Sequence, residues 1–295
     1  MIINGKELAL KVRMRTAQGC DLFIRHFGRR PCLAVVLVGD DPASLTYVAG
    51  KKKACDEVGI DHRDISFDAK VSQQELLDCV KTLNNDQSVD GILVQLPLPD
   101  HINEMTVIDA IAPQKDVDGF TPANLGALML GEKTLVACTP KGIMRLLDSC
   151  GINLQGKNVC IVGRSNIVGK PLSALMMAKD RNATVTVCNS YTADLKEHTK
   201  NADVIVSAAG KAGLITADMV KDGCVVIDVG MNRVPDSSKK NGYVLKGDVD
   251  FEQVSKKAYA ITPVPGGVGP MTVAMLMKNT LTAACRIKGV EVKQL

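Results

Sequence analysis

Short apolar runs alternate with amphipathic segments along this chain, and that alternation constrains the fold more than any other feature. The apolar run at 33–38 predicts a buried strand, the segment 62–67 is a second strand candidate, and the run at 91–96 predicts a third strand. The segments at 44–58, 72–83 and 105–111 have the spacing of the helices that would follow them. Strand and helix alternation of this kind is typical of a parallel sheet covered by helices. The first 120 residues are therefore predicted to form one α/β domain.

A second α/β series begins near residue 157. Strands are predicted at 158–162, 184–188, 204–207 and 225–229, and a glycine-containing loop at 163–169 opens a helix. The segment 125–150 is predicted to be helical and to join the two series, and a last helix is predicted from about 271 to 287. A length of 295 residues allows two domains. We predict one domain from residues 1–120 with a C-terminal helix at about 271–295, a second, Rossmann-like domain from 121–270, and a cleft between them.

Composition excludes several classes of protein. Aromatic residues make up 3% of the chain and tryptophan is absent, so the cores must be aliphatic, and stacking platforms for single-stranded nucleic acid are not expected. The net charge of +4 is mild, and the longest basic run is Lys51 to Lys53. A solvated helix face explains such a run, and a preference for small anionic molecules is the sharper alternative. No nucleic acid partner is predicted.

The cysteine pattern and the N-terminus indicate a protein that is cytoplasmic, or one that lacks the presequence that would send it elsewhere. Ten cysteines fall mostly inside apolar stretches and none forms a C-x-x-C pair, so neither a zinc site nor a dithiol redox site has its usual spacing. Free thiols in a reducing compartment are expected. The N-terminus lacks the charged and then apolar layout of a signal peptide. No apolar run approaches the roughly 20 residues that span a bilayer, so no membrane association is predicted. No metal is predicted either, because the cysteines lack the spacing of a metal site.

The loop at 163–169, GRSNIVG, is a candidate nucleotide-binding loop. It lies between a predicted strand and a predicted helix, where small residues let backbone N–H groups and the helix N-terminus approach a pyrophosphate. It departs from G-x-G-x-x-G because Ser165 replaces the second glycine. A strand-to-helix turn without a ligand also uses glycine, so the loop alone leaves both interpretations open.

The next predicted strand indicates which nicotinamide cofactor would bind. NAD sites usually have an acidic residue at the end of this strand to bind the ribose 2′-hydroxyl, but here the strand ends Cys188-Asn189-Ser190. Arg164 is placed to bind a 2′-phosphate through its several donors; the alternative is a solvated surface arginine. The pattern favours NADP.

A second candidate site follows the first strand. Tyr47 and Lys51 are four residues apart on a predicted helix and share one face, while Lys52 and Lys53 point elsewhere. Gln95 lies at the carboxyl end of the third strand, beyond which ligands bind in open α/β sheets. Each residue also has a purely structural alternative, and spacing alone leaves these alternatives open. Tyr47 could pack in the core, Lys51 could extend along the surface, and Gln95 could form a turn.

With these motifs, the sequence closely resembles the bifunctional methylenetetrahydrofolate dehydrogenase/methenyltetrahydrofolate cyclohydrolase family, of the bacterial single-polypeptide type. The resemblance spans nearly the whole chain, and no position that the family uses for chemistry departs from its pattern. The segments that carry it are SLTYV at 44–48 with Lys51, GILVQLPLP at 91–99, KDVDGF at 115–120, CTPKG at 138–142, VGRSNIVG at 162–169 and PVPGGVGPMT at 263–272.

The resemblance implies residue roles and partners. Lys51 would be the catalytic lysine, with Tyr47 near the folate ring and Gln95 assisting, and Asp118 would bind the amino and ring N–H groups of the pterin. The first domain would bind folate and the second NADP, and the protein would be a homodimer that supplies formyl groups for purine and formyl-methionine synthesis. The folate cleft would be lined by Pro265, Gly266 and Gly269, and NADP would be bound by Gly163, Arg164, Ser165 and Ser190, with Met231 near the nicotinamide.

The residue types suit this chemistry. Hydride loss from the methylene carbon of the folate needs alignment rather than a general base. Hydrolysis of the resulting methenyl cation needs proton removal, which a lysine can perform only when it is partly neutral. Two positive charges about 4 Å apart repel by roughly 4 kcal/mol at an effective dielectric near 20, which would lower the pKa of Lys51 towards neutrality.

Three other functions fit parts of the pattern. One is an NADP dehydrogenase of the same architecture that acts on another small metabolite, such as a shikimate- or amino-acid-type substrate. Another is a monofunctional methylenetetrahydrofolate dehydrogenase, which would lack the hydrolysis. The third is a non-catalytic folate- or nucleotide-binding protein, against which the retained lysine argues. Assays with NADP and methylenetetrahydrofolate distinguish them.

Overall fold

The computed structural model describes residues 1–239 and 242–292, apart from the side chain of Ala43. The chain forms two compact units. The N-terminal unit consists of Leu10–Cys138 and the chain from Val273 onwards, and the central unit consists of Met1–Ala9 and Thr139–Thr272. The end of the predicted segment 271–295 lies outside the described residues, and the domain bounds of 1–120 and 121–270 stay a prediction.

Local signals explain where the helices of the N-terminal unit begin and end. The helix that carries Lys51 begins after Asp41, whose carboxylate accepts a hydrogen bond from the backbone N–H of Ser44 at 2.8 Å, and it ends at Gly59 in the left-handed conformation. The elements are α1 (Gly5–Phe27), β1 (Cys32–Val38), α2 (Pro42–Val58), β2 (Asp61–Phe67), α3 (Gln73–Asn85), β3 (Gly91–Val94), α4 (Glu104–Asp109) and α5 (Pro122–Leu130).

A three-stranded parallel sheet, in the order β2-β1-β3, organises the N-terminal unit. All seven residues of β1 are buried, as expected for a central strand covered on both faces. A further parallel bridge joins Ile92 of β3 to Asp116, so the segment after α4 continues the sheet beyond β3. By this register Asp118 lies level with Val94, at the carboxyl end of the sheet. The core is aliphatic; its members include Val36, Leu76, Val80, Ile92 and Val107.

The central unit contains a five-stranded parallel sheet in the order β10-β7-β6-β4-β5 and an antiparallel hairpin, β8-β9. β4 is buried from Val159 to Val162 and pairs with β5 on one side and β6 on the other. The elements are α6 (Cys138–Ser149), β4 (Asn158–Val162), α7 (Gly169–Met177), β5 (Thr184–Cys188), α8 (Leu195–Lys200), β6 (Val204–Ser207), β7 (Val225–Asp228), β8 (Asn232–Pro235), β9 (Tyr243–Lys246), α9 (Phe251–Val254), β10 (Ala260–Ile261) and the start of α10 (Val268–Ile287), which from Val273 onwards belongs to the N-terminal unit.

The predicted fold class, two α/β domains with one of Rossmann-like type, is confirmed. α1 was not predicted, because its segment has no apolar run. Its buried residues Val12, Thr16, Cys20 and Phe23 recur at three- and four-residue spacing instead. Within the described part of the chain, no helix is both long enough and apolar enough to cross a bilayer.

Candidate functional site

Lys51 and Gln95 meet at the carboxyl end of the first sheet. The Lys51 Nζ donates a hydrogen bond to Gln95 Oε1 at 2.8 Å. The Gln95 Nε2 donates to the backbone oxygen of Leu96 at 2.7 Å, which fixes the orientation of the amide so that its oxygen faces the lysine. α2 and the residue after β3 therefore bring these two predicted site residues together.

Asp118 faces the same lysine, and the two groups affect each other's protonation. Burial lowers the pKa of Lys51 from its ordinary value, and the charge of Asp118 opposes this. Burial also raises the pKa of Asp118 to about 6, and the positive charge of Lys51 counteracts the shift. The site thus combines a carboxyl group that titrates near pH 6 with an amine that loses its proton more easily than a solvated lysine.

Two features hold the loop that carries Asp118. The carboxylate of Asp116 is buried and accepts hydrogen bonds from the backbone N–H groups of Gly119 at 2.9 Å and Thr121 at 2.8 Å. Gly119 has a φ of +70°, and a Cβ there would lie 2.5 Å from the backbone nitrogen of Ala137. A side chain at position 119 is therefore excluded, and the loop is packed against residues 136–137.

Tyr47 lies one helical turn before Lys51 on α2 and is 51% exposed. Residues four apart on a helix project from the same face, so its ring lies on the side of α2 from which Lys51 reaches Gln95. An exposed aromatic face next to Lys51 is suited to contact a flat heteroaromatic ring.

The predicted nucleotide-binding residues line one cavity of about 520 Å³ in the central unit. The cavity opens at the carboxyl ends of β4, β5 and β6, where parallel sheets bind ligands. Gly163, Arg164, Ser165 and Ser190 all contribute to its wall; Asn189, Thr192, Leu195, Ala208, Ala209 and Lys211 are among the others. The structure therefore brings together four of the five predicted cofactor residues.

Close backbone packing explains why glycine occupies position 163. Gly163 has a φ of +130°, and a Cβ there would lie 2.3 Å from the backbone oxygen of Ala208. Its N–H donates to the Cys188 carbonyl oxygen at 2.9 Å, which joins the loop to the end of β5. The loop at 163–169 consequently follows the sheet edge closely and leaves room for a ligand above it.

The charge of this cavity favours an anion. Arg164 is exposed, and its guanidinium lies 5.9 Å from the centre of the Tyr191 ring. Lys211 supplies a second cation, and none of the described residues that line the cavity carries a carboxylate. A phosphorylated ribose fits such a wall better than one with free hydroxyl groups.

The remaining predicted residues lie in the central unit. Met231 is 46% exposed, and its Cε lies 3.2 Å from the position that a Cβ on Gly269 would occupy, so these two residues are neighbours. Gly266, which follows Pro265 in the chain, has a φ of +111°. Its carbonyl oxygen accepts a hydrogen bond from the backbone N–H of Lys6 at 3.1 Å. Met231 is not part of the cavity wall around Arg164.

Several residues near these sites were not found from the sequence. Cys138 is buried and lies close enough to Asp118 to lower its pKa through a hydrogen bond. The segment CTPKG at 138–142 did not indicate a role for Cys138. The packing at the start of α6 shows that its thiol lies beside Asp118. Asp248 is fully buried and accepts hydrogen bonds from the N–H groups of Ala209, Gly210 and Lys211, which border the cavity. No sequence signal distinguishes it from other acidic residues.

Among the described residues, no group of three or more histidine, cysteine, aspartate or glutamate side chains is arranged to hold a metal ion. All ten cysteines are free thiols, as predicted.

Two family models match the sequence. The catalytic domain of tetrahydrofolate dehydrogenase/cyclohydrolase matches residues 3–118, and the NAD(P)-binding domain of the same family matches residues 137–288. The chain is 60% identical over 283 residues to a protein of Salinibacter ruber named bifunctional protein FolD, covering 96% of this chain and 95% of the relative.

Solved structures are similar over the same extent. The bifunctional methylenetetrahydrofolate dehydrogenase/cyclohydrolase FolD of Campylobacter jejuni superposes with a TM-score of 0.91 at 48% identity, covering 96% of this chain and 98% of that one. The enzyme of Trypanosoma brucei, solved with NADP and an inhibitor, gives a TM-score of 0.92 at 40% identity, with 97% of each chain covered.

Proposed function

Because this chain belongs to the tetrahydrofolate dehydrogenase/cyclohydrolase family, we propose that Lys51, Gln95 and Asp118 carry its folate chemistry. The protein is a bifunctional enzyme. It oxidises 5,10-methylenetetrahydrofolate to 5,10-methenyltetrahydrofolate with NADP as cofactor and hydrolyses the product to 10-formyltetrahydrofolate. The hydrogen bond between Lys51 and Gln95, beside Asp118, is the observation that supports the residue assignment.

Folate binding is assigned to Asp118 and Tyr47. The Asp118 carboxylate accepts hydrogen bonds from the amino and ring N–H groups of the pterin, and the exposed ring of Tyr47 stacks near the folate. When bound, NADP accepts the hydride from the methylene carbon. The protein contributes orientation to this step, since the nitrogen lone pair of the folate expels the hydride and no base is required.

Hydrolysis is assigned to Lys51. A water molecule attacks the methenyl carbon, and the neutral amine of Lys51 takes a proton from it as the new C–O bond forms. The C–N bond to one folate nitrogen then breaks as the formyl C=O forms, the remaining hydroxyl proton is released to solvent, and the protonated lysine gives its proton to that nitrogen. Gln95 holds the amine in place through its side-chain oxygen. Burial supports this role, because it already lowers the pKa of Lys51 before the cationic substrate adds its repulsion.

NADP binding is assigned to the cavity at the carboxyl ends of β4 and β5. Its wall fits the cofactor, because Gly163 leaves room for a close backbone approach and the wall has cations and no carboxylate among the described residues. Arg164 would bind the 2′-phosphate. Gly163, Ser165 and Ser190 would contact the phosphates, and Met231 would lie near the nicotinamide.

Pro265, Gly266 and Gly269 are proposed to contact the folate. The proximity of Gly269 to Met231 supports this, since it brings a proposed folate contact next to a proposed nicotinamide contact. We retain 1–120 with about 271–295 as the folate-binding domain and 121–270 as the NADP-binding domain; the catalytic-domain model that matches 3–118 supports the first boundary.

Both reactions can be tested in one experiment. With methylenetetrahydrofolate and NADP, the purified enzyme should first form NADPH and methenyltetrahydrofolate, whose absorbance then decays as 10-formyltetrahydrofolate forms. An intermediate that accumulates without decay beyond the uncatalysed rate would indicate a monofunctional dehydrogenase. An absence of NADPH formation would contradict the assignment of both activities.

We also propose that the protein is a homodimer. β5 is an edge strand of the five-stranded sheet, it contains no charged residue, and it leaves Val187 37% exposed. Apolar strand edges are normally covered by another chain or protected by charges. Light scattering should give the mass of two chains, and Val187→Lys should reduce it towards that of one chain. If the wild-type protein had the mass of one chain, the proposal would be wrong.

A cytoplasmic location and a role in one-carbon metabolism complete the proposal. Ten free thiols suit a reducing compartment. The product 10-formyltetrahydrofolate is a formyl donor for purine and formyl-methionine synthesis and is linked to histidine synthesis. Cell fractionation tests the location, and formyl-group auxotrophy on deletion of the gene tests the role.

A further inference from the structure

Asn279 is a polar residue on a helix whose buried side chains are mostly apolar. It lies on α10, its side chain is fully buried, and Met275 and Ala283, one turn away on either side, are buried too. Its Nδ2 donates hydrogen bonds to the backbone oxygens of Val117 at 2.8 Å and Val136 at 2.9 Å, and it approaches the Cys138 Sγ at 3.5 Å. A buried amide with defined partners restricts the segments that it joins.

The two carbonyl partners of Asn279 lie next to Asp118. Val117 directly precedes Asp118, and on the other side the Asp116 carboxylate accepts the N–H of Gly119. Since Gly119 packs against Ala137, the loop cannot shift without moving the 136–138 segment, and Asn279 is bonded to both. The backbone at Asp118 is therefore fixed from both sides.

We infer that Asn279 is a positioning residue for the folate site, because its amide fixes the backbone that presents Asp118. Asn279 does not need to touch the substrate. It determines whether the Asp118 carboxylate faces the pterin in the geometry that two hydrogen bonds require. The inference rests on the proposed role of Asp118 and adds a residue to which neither the motifs nor the resemblance assigned any role.

Removing the amide should affect folate more than NADP. Asn279→Leu keeps the branching of the side chain at Cγ but has no donor, so it leaves the carbonyl oxygens of Val117 and Val136 without this partner, and the loop relaxes. Thr280→Val is a matched control. Thr280 is also fully buried on α10, but its hydroxyl donates to Leu276 within the same helix, at 3.0 Å, and not to the Asp118 loop.

The test is steady-state kinetics of the full-length enzyme with each substrate varied, together with thermal unfolding. In Asn279→Leu we expect the KM for methylenetetrahydrofolate to rise about tenfold, with the KM for NADP changed by less than about twofold. Thr280→Val should change neither KM. If both KM values of Asn279→Leu rise together, or if the folate KM stays the same, the inference is wrong. Should Asn279→Leu fail to fold, Asn279→Ser, which keeps one donor, should show the same selective change to a smaller degree.

A double-mutant cycle with Asp118→Asn separates this inference from the proposed function. If Asn279 acts through Asp118, then Asn279→Leu should raise the folate KM much less in the Asp118→Asn background than in the wild type. Additive effects in the cycle would show that Asn279 affects the folate KM independently of Asp118, and the inference would be wrong. If Asp118→Asn itself leaves the folate KM unchanged, the assigned role of Asp118 fails, and the inference fails with it. If Asp118→Asn raises the folate KM and Asn279→Leu does not, only the inference fails.

Discussion

The side-chain nitrogen of Lys51 lies 2.8 Å from Gln95 Oε1, although the two residues are 44 positions apart. Gln95 is itself oriented by its hydrogen bond to Leu96, so the lysine has a neutral acceptor rather than a carboxylate as its direct partner. A neutral partner leaves the lowered pKa of Lys51 largely intact, whereas a carboxylate in this position would raise it.

Replacing Lys51 should separate the two activities. We expect Lys51→Ala to reduce methenyltetrahydrofolate hydrolysis at least about 100-fold, the usual contribution of a general base, while hydride transfer is partly retained. The measurement is the absorbance of the methenyl intermediate alongside NADPH formation. Lys53→Ala is the control, since Lys53 is exposed on another side of α2. If Lys51→Ala reduced both activities in the same proportion, Lys51 would be a binding residue.

Placing a carboxylate beside the lysine should shift the pH dependence of hydrolysis. In Gln95→Glu the new negative charge stabilises the protonated amine and raises the pKa of Lys51. Hydrolysis should therefore fall at neutral pH and recover as the pH rises. The pH–rate profile of the cyclohydrolase reaction measures this, with Gln155→Glu, at an exposed position of the central unit, as the control. An unshifted profile with a simple loss of rate would argue against Lys51 as the base.

Folate affinity should fall as the pH decreases through about 6, where Asp118 takes up a proton. The pKa of this buried carboxyl is above its ordinary value, so the anion that accepts the pterin N–H groups is present above about pH 6 and is lost below it. We expect the folate KM to rise on the acid side in the wild type. In Asp118→Asn it should be high and independent of pH across this range, with the KM for NADP unchanged. The assignment would be refuted if the wild-type folate KM did not change between pH 5 and 7, or if the variant lost NADP affinity in parallel. Asp100→Asn, at an exposed position, is the control.

Arg164→Ala should reduce the preference for NADP over NAD. A charge-assisted hydrogen bond contributes roughly 1.5–3 kcal/mol, which corresponds to a change of about 10- to 150-fold in relative affinity. The ratio of kcat/KM for the two cofactors measures it. Lys200→Ala removes one exposed cation from the same unit outside the cavity and should leave the ratio unchanged. An unaltered ratio in Arg164→Ala would remove its assigned role.

Gly163→Ala should weaken both the fold of the central unit and NADP binding. The new Cβ would overlap the Ala208 carbonyl oxygen at a backbone conformation that side chains rarely adopt. We expect the free energy of unfolding to fall by more than about 1 kcal/mol and the KM for NADP to rise. Gly156→Ala is a matched control, since Gly156 also has a positive φ, of +70°, but its Cβ would meet nothing within 4 Å. Equal destabilisation in both variants would show that backbone conformation, and not the contact with Ala208, is the cause.

Much of the fold followed from local patterns. The runs at 158–162 and 204–207 are strands with the predicted bounds, because buried parallel strands consist of continuous β-branched and aliphatic residues that little else produces. The edge strand at 184–188 is mostly exposed, and its bounds were predictable because four of its five residues are β-branched. The β8-β9 hairpin was not predicted, since its strands at 232–235 and 243–246 are short, mostly only partly buried and mixed in polarity. A pattern that depends on continuous β-branched and aliphatic residues cannot identify short strands of mixed polarity.

In the candidate sites, too, some features follow from the sequence and others only from the tertiary structure. The sequence determined which residue types follow which strands, and in a parallel sheet the carboxyl ends of neighbouring strands meet at one edge, so Arg164 and Ser190 had to come close. Only the tertiary structure decided the roles available to Cys138, Asp248 and Asn279, since each acts through partners that are distant along the chain. Whether a buried polar group can hold a loop depends on differences of a few tenths of an ångström in the donor–acceptor distance. These distances are set by the packing of the whole core and not by the local sequence.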